Sequence, residues 1–164
     1  CHNRRIHSNK VFKGKAARGK TSTGWFYGLK LFLVINAFGE IMNAFLTMAN
    51  VADNHLVTMI KLFSKLKGWA FADKGKKKKK AVEELLSKGL HLITGIRRNM
   101  KNKLVLMEQK ILLQKRGVIE SVNDILKTVC DIEHTRHRSP INALVNLYAG
   151  LCSYTFLDRL PSIF

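Results

Sequence analysis

The stretch Arg116-Gly-Val-Ile-Glu120-Ser-Val-Asn-Asp-Ile-Leu-Lys127 carries the most information about the fold of this chain. Its apolar residues recur at helical spacing and predict a helix with one face turned to a core. The residues expected on that face are Ile119, Val122, Ile125, Leu126 and Val129. Glu120 and Lys127 fall on the opposite face, because positions seven apart lie on the same side of a helix. Glu120 is therefore expected to be an exposed carboxylate on a packed helix.

A second carboxylate follows an apolar run upstream, Gly68-Trp-Ala-Phe-Ala-Asp73-Lys-Gly75. This run predicts a short buried strand over residues 69–72 with Asp73 at its end. Carboxylates from separate elements are the ligands that a hard divalent cation needs, and two-metal phosphoryl transfer uses such ligands. Asp73 and Glu120 are therefore candidate metal ligands, and the surrounding Lys and Arg side chains are candidate contacts to a nucleic-acid backbone.

The remaining pattern predicts an α/β chain. Residues 1–23 are basic, contain no acid, and are expected to form a flexible arm. Strands are predicted over residues 25–35, 41–48, 69–72 and 90–94, with a weaker one over residues 104–107. Both faces of the first strand look buried. Helices are predicted after a cap at Asp53 or Asn54, over residues 79–88, around Glu120, and from Pro140 onward as a buried helix.

Composition favours a polyanionic partner. The 164 residues fit one domain, and 46% of them are hydrophobic, which argues against disorder throughout. A formal charge of +18 favours nucleic acid first and an anionic membrane surface second. No uncharged run reaches the roughly 20 apolar residues of a membrane span, so none is expected. Three cysteines without spaced pairs indicate a reducing compartment.

These motifs resemble those of bacterial insertion-sequence transposases of the DDE type. That family carries tyrosine, arginine, glutamate and lysine on its last catalytic helix; Arg116, Glu120 and Lys127 have the family spacing, and Leu113 replaces the tyrosine. Asp73-Lys74-Gly75 matches the motif of the second acid, and the resemblance covers nearly the whole chain. It implies a ribonuclease H-like mixed sheet flanked by helices. The sheet would be incomplete at the N-terminus, with residues 24–164 forming a partial catalytic domain.

The resemblance also implies roles for individual residues. Asp73 and Glu120 would be catalytic and would bind Mg²⁺ or Mn²⁺, whereas the first acid of the family triad is absent. Lys127 would lie along the DNA backbone, and Arg116 would orient Glu120 or contact phosphate. Further DNA contacts are expected from Lys74, Arg97, Arg98, Lys101 and Lys103. The intact protein would cut and join DNA as a homodimer in the bacterial cytoplasm, associated with the nucleoid, and this chain is expected to be its C-terminal fragment, inactive alone.

Other interpretations of the same residues remain open. Asp73 could cap a turn, and Glu120 could pair with Arg116 or Lys127 on a solvated helix face. The lysine run 76–80 could grip phosphate or form a solvated loop, because adjacent like charges repel each other. The alternative function is that of a non-catalytic basic nucleic-acid-binding protein, which would have no need of the acid pair.

Overall fold

The computed structural model describes residues 6, 8–21, 24–73, 79–95, 106–133 and 137–163. Five strands and five helices follow one another in these ranges: β1 (Ala17–Thr21), β2 (Gly24–Ile35), β3 (Ile41–Met48), α1 (Leu56–Phe63), β4 (Gly68–Ala72), α2 (Lys79–Ser87), β5 (Leu90–Thr94), α3 (Met107–Lys115), α4 (Val118–Thr128) and α5 (Pro140–Thr155). The predicted α/β class is therefore confirmed.

The strands form two sheets in the described part of the chain. β1, β2 and β3 make an antiparallel sheet with β2 in the centre, and β4 and β5 make a parallel pair. β1 pairs with the first half of β2, and β3 pairs with its second half. No strand ladder joins these two sheets within the described ranges, so the single mixed sheet stays a prediction.

Strand β2 packs on both faces along residues 32–35, as its sequence predicts, whereas Trp25 near its start is 51% exposed. Phe32 and Val34 pack into a core with α1, α2 and β5, whose fully buried residues include Met59, Leu62 and Leu85. The alternate residues Leu33 and Ile35 pack into a second core with α4 and α5, around Val122, Leu126 and Tyr154. Because successive side chains of a strand point to opposite faces, β2 lies between two helical layers.

Tyr154 fixes α5 to the β2–β3 turn. Its side chain is fully buried, and its hydroxyl donates a 2.8 Å hydrogen bond to the carbonyl oxygen of Gly39. Gly39 has a φ of +80°, and a Cβ there would collide with the carbonyl oxygen of Pro161. Glycine is thus required for both the left-handed turn and the close passage of the C-terminal segment.

Three predictions about the N-terminal half need correction. The flexible arm is wrong for residues 17–21, which form β1, because the antiparallel ladder to β2 satisfies their backbone groups. The N-cap position of α1 is His55 and not Asp53 or Asn54, and the His55 side chain makes no capping hydrogen bond. Its ring nitrogen lies 3.0 Å from the hydroxyl of Thr58. Asp53 instead pairs with Lys30 of β2 at 3.0 Å. The apolar pattern also predicts that this helix continues past Leu66 and is ended by Gly68, whereas α1 ends at Phe63.

Corrections in the C-terminal half concern helix boundaries and burial. The strand expected over residues 104–107 is wrong at Met107, which begins α3; residues 104 and 105 lie outside the described ranges. Val129, expected in the core, is mostly exposed because α4 ends at Thr128. Pro140 does open α5 beside the capping hydroxyl of Ser139. Helix α5 is not wholly buried, since Ile141, Val145 and Tyr148 are each at least 60% exposed.

No helix of the described ranges combines the length and apolarity needed to cross a membrane.

Candidate functional site

Strand β4 positions the first candidate acid. Ala72, the last residue of β4, is buried, and Asp73 follows it with 66% of its side chain exposed. The parallel ladder with β5 pairs Ala72 with Thr94 and holds this strand end in place. A strand whose last residue is anchored in the core and whose next residue points into water presents a carboxylate at a fixed point of the surface.

An ion pair joins Asp73 to the segment that begins α4. A guanidinium nitrogen of Arg116 lies 2.9 Å from a carboxylate oxygen of Asp73. Arg116 is the C-cap of α3 and is followed by Gly117, the N-cap of α4. The expected continuous helix from Arg116 to Lys127 is therefore wrong, since the chain turns at Arg116 and Gly117. Glycine's low helix propensity favours such a break.

Glu120 occupies the first turn of α4 and is exposed. Its backbone N–H donates to the carbonyl oxygen of Gly117 at 2.9 Å, and its carboxylate makes no ion pair within the described ranges. The positive end of a helix stabilises an acid in this position. Within the described ranges the Glu120 carboxylate is therefore exposed and outside any ion pair, about one helical turn after Arg116.

The two basic residues of this stretch take other partners than expected. Arg116 pairs with Asp73 rather than orienting Glu120. Lys127 lies 3.2 Å from the carboxylate of Glu133, a residue that the sequence alone did not single out. Glu133 lies six positions after Lys127, beyond the end of α4, so helical spacing gave no sign of the pair. Both pairs are largely solvent-exposed and are worth about 0–1 kcal/mol each.

Asp73 and Glu120 are of the residue type that binds divalent metals, but within the described ranges too few such residues lie together to hold an ion. Carboxylate oxygens are the ligands that Mg²⁺ and Mn²⁺ prefer. All eleven Asp and Glu residues of the chain lie in the described ranges. Among the residues described, however, no three His, Cys, Asp or Glu side chains gather closely enough to hold an ion. Asp73 and Glu120 therefore provide at most part of a coordination sphere.

Several predicted DNA contacts lie outside the described ranges. They are Lys74, Arg97, Arg98, Lys101 and Lys103, together with residues 76–78 of the lysine run. The remaining two lysines of that run, Lys79 and Lys80, begin α2 and are exposed. The structure therefore brings Asp73 together with Arg116 and places Glu120 on the helix that follows. The predicted DNA contacts of the other basic residues stay predictions.

A family model described as Transposase DDE domain matches residues 1–140, which is most of the chain. The matched region includes β1 to α4 and both candidate acids, and it ends where α5 begins. No curated protein and no solved structure shows significant similarity to the chain.

Proposed function

The chain belongs to the transposase DDE domain family, whose general function is DNA transposition, and on that premise we propose that it binds DNA and contributes Asp73 and Glu120 to the metal site. In the intact transposase this site would hold Mg²⁺ or Mn²⁺ for cutting and joining insertion-sequence ends. The proposed place of action is bacterial DNA in the cytoplasm, at the nucleoid.

The observation that carries this proposal is the ion pair between Asp73 and Arg116. It ties the end of β4 to the turn before α4, so the two segments that carry the acids meet although 43 residues separate the paired side chains. A bound divalent ion would supply positive charge at the oxygens of the phosphoryl group being transferred. Asp73 and Glu120 would hold it, Arg116 would neutralise Asp73 in its absence, and Lys127 would contact the DNA backbone.

The ribonuclease H-like architecture is part of the same proposal. Along residues 29–35, β2 has β3 on one side and no strand on the other within the described ranges, and β4 likewise has β5 as its one strand neighbour. Both strands send side chains into the core covered by α1 and α2. One additional strand between β2 and β4 would join the two sheets into the mixed sheet that we propose for the intact domain.

Manganese binding, measured by electron paramagnetic resonance, tests the site. Even partners outside the first coordination shell change metal affinity by about 10–100-fold, so Asp73→Asn and Glu120→Gln should each weaken Mn²⁺ binding about tenfold or more. Arg116→Gln should strengthen it, because the guanidinium competes with the ion for Asp73. Glu108→Gln, which removes an exposed acid of α3, should change nothing. Equal effects from all three acid variants would contradict the assignment.

The second candidate function is non-catalytic binding of nucleic acid, favoured by the charge of +18. Both functions require DNA binding, and the acid pair distinguishes them. A purely electrostatic binder has no use for Asp73 or Glu120, so it would bind Mn²⁺ equally well in the wild type and in the two acid variants.

We also propose that the intact transposase is a homodimer that pairs through α5. The 16 residues of α5 include no charge, whereas the chain as a whole carries a charge of +18 that disfavours association elsewhere. Its exposed apolar stripe includes Ile141, Val145 and Tyr148. In an antiparallel pair centred on Tyr148, Arg138 of one copy would face Asp158 of the other, and the helix dipoles would oppose each other favourably.

Light scattering after size exclusion tests the dimer. Val145→Asp should shift the chain from dimer to monomer, because it places a charge in the apolar stripe. Val129→Asp is the matched control, since Val129 is equally exposed but lies beyond α4. A monomeric wild type, or an equal effect of both variants, would contradict the α5 interface.

A further inference from the structure

We propose that the β1–β2 hairpin forms a second DNA site, at which an unpaired base stacks on the indole of Trp25 while Arg18 and Lys20 hold the neighbouring phosphates. This inference rests on the proposed DNA binding and assigns it a preference for unpaired strands. It concerns residues other than Asp73, Arg116 and Glu120.

The register of the hairpin puts these side chains on one face. Arg18 pairs with Tyr27 and Lys20 pairs with Trp25 across the antiparallel ladder. Directly opposite residues share a face, and so do residues two apart on one strand. Arg18, Lys20, Trp25 and Tyr27 therefore project from the same side of the hairpin, with both cations beside the indole. The Arg18 guanidinium carbon and the Lys20 ammonium nitrogen each lie 5.6 Å from the centre of the Trp25 ring.

The opposite face of the hairpin is packed against the body of the protein. Gly19, which lies between the two cations in sequence, is buried beside Ala49 and Phe26. A Cβ on Gly19 would come within 2.7 Å of the carbonyl oxygen of Ala49, so only glycine permits this approach. The hairpin thus has one anchored face, and its other face is open at Arg18, Lys20 and Trp25, while the Tyr27 hydroxyl donates to the carbonyl oxygen of Phe12. Its cations and indole are held as a platform rather than carried on a loose arm.

The open face has the chemistry of a single-strand binding surface. Trp25 is 51% exposed, and a half-exposed indole offers a ring surface on which any base can stack. The first 39 residues contain no acid, so every charged side chain of this segment attracts phosphate. The bases of an intact duplex are already stacked on each other and cannot use the indole. Unpaired bases at a nicked or frayed DNA end are free to stack on the indole.

Trp69 provides an internal control. It is the only other tryptophan, lies on β4, and is 46% exposed, close to the value for Trp25. Among the residues described, no cation lies over its ring as Arg18 and Lys20 lie over that of Trp25. A general effect of removing surface tryptophan would appear at both positions, whereas base stacking beside paired cations would appear at Trp25 alone.

The test compares Trp25→Leu and Trp69→Leu for binding of a 12-nucleotide oligothymidylate, a blunt duplex of mixed sequence, and heparin. Base–aromatic stacking is worth about 1–3 kcal/mol per base, so Trp25→Leu should weaken oligothymidylate binding about tenfold. It should leave duplex and heparin affinities within about twofold, because these depend on charge. Trp69→Leu should leave all three unchanged.

Fluorescence of single-tryptophan variants gives an independent readout that does not require Trp25 to be removed. In Trp69→Phe the remaining Trp25 emission should be quenched by oligothymidylate, and in Trp25→Phe the remaining Trp69 emission should not. Equal quenching at both positions, or an unchanged oligothymidylate affinity in Trp25→Leu, would overturn the hairpin site while leaving the proposed function standing. A wild-type chain that binds no DNA of either form would overturn the proposed function itself.

Discussion

At the scale of single residues, two side chains show what a buried or paired group contributes. The ion pair between Arg116 and Asp73 is solvent-exposed and adds little to the free energy of unfolding. Its effect is to fix the position of the Asp73 carboxylate. Tyr154 is fully buried, and its hydroxyl satisfies the carbonyl of Gly39. An unsatisfied buried carbonyl costs about 1–3 kcal/mol, so Tyr154 is the residue at which a small change should be most visible in the free energy of unfolding.

Tyr154→Phe removes only the hydroxyl and should lower the free energy of unfolding by about 1–2 kcal/mol, because the Gly39 carbonyl loses its donor. Chemical denaturation monitored by circular dichroism measures the change. Tyr148→Phe is the matched control, measured at a chain concentration low enough to dissociate the proposed α5 dimer. Tyr148 lies on the same helix and is then exposed, so its loss of a hydroxyl should have no measurable effect. Equal destabilisation by both variants would show that the Gly39 bond is unimportant.

Ionisation of the Tyr154 hydroxyl should make the free energy of unfolding depend on pH. Burial, and secondarily the nearby Cys130 thiol, raise the pKa of Tyr154 above its usual value of about 10. Because the folded state holds the proton more tightly, the contribution of Tyr154 is complete below the unfolded pKa and is lost as pH rises through the folded pKa. The free energy of unfolding should therefore fall above about pH 10, and this fall should be shallower in Tyr154→Phe.

At the scale of elements, the contact between α5 and the segment after α4 depends on a glycine. A Cβ on Gly150 would collide with the side chain of Ile132 and lie 3.0 Å from the carbonyl oxygen of Cys130. Helix α5 can approach this segment only because position 150 has no side chain. The junction between α3 and α4 is different, since a Cβ on Gly117 would meet nothing within 4 Å and φ there is −58°.

These two glycines make a paired prediction. Gly150→Ala should lower the free energy of unfolding by about 1–3 kcal/mol through overpacking. Gly117→Ala should be neutral or stabilise by up to about 1 kcal/mol, because alanine restricts the unfolded chain and suits the native backbone. Thermal unfolding of both variants checks the pair. A stabilising Gly150→Ala would mean that α5 does not pack closely on residues 130–132.

At the scale of the whole molecule, the net charge predicts how the chain binds DNA, and the acids predict whether it cleaves DNA. With 29 cationic and 11 acidic side chains, the chain should bind duplex DNA with little sequence preference, because contacts to phosphate carry no direct base information. If about six phosphates are contacted, affinity should fall about a thousandfold between 50 and 200 mM salt. Fluorescence anisotropy with two unrelated duplexes measures both properties, and salt-independent binding would contradict them.

Cleavage is the second prediction at this scale. No three potential ligands gather within the described ranges, and each missing carboxylate removes a charge and a ligand that water replaces poorly. The 164-residue chain should therefore bind supercoiled plasmid without nicking it in Mg²⁺ or Mn²⁺. Nicking that persists in Asp73→Asn with Glu120→Gln would show that the acids are misassigned, and nicking lost in that double variant would show that two carboxylates suffice.

The sequence by itself determined the elements whose signals are local. The β2–β3 hairpin, the β4 and β5 strands, the start of α5 at Pro140 and the exposed position of Glu120 all follow from periodicity, turn residues and caps. The family motifs are also local in sequence, and the match over residues 1–140 confirms the transposase DDE family that they predicted. Local patterns suffice here because alternation and helical spacing report directly which side of an element is covered.

Tertiary structure decided every feature that depends on a distant partner. The basic, acid-free N-terminal segment predicts a flexible arm. In the structure, residues 17–21 pair with β2, and Gly19 packs against Ala49. The sequence predicts Asp53 as a helix cap, but its carboxylate pairs with Lys30. It also predicts Arg116 on one helix with Glu120, but the Arg116 guanidinium pairs with Asp73. These outcomes depend on which surfaces meet through space, and the spacing of residues along the chain carries no record of that.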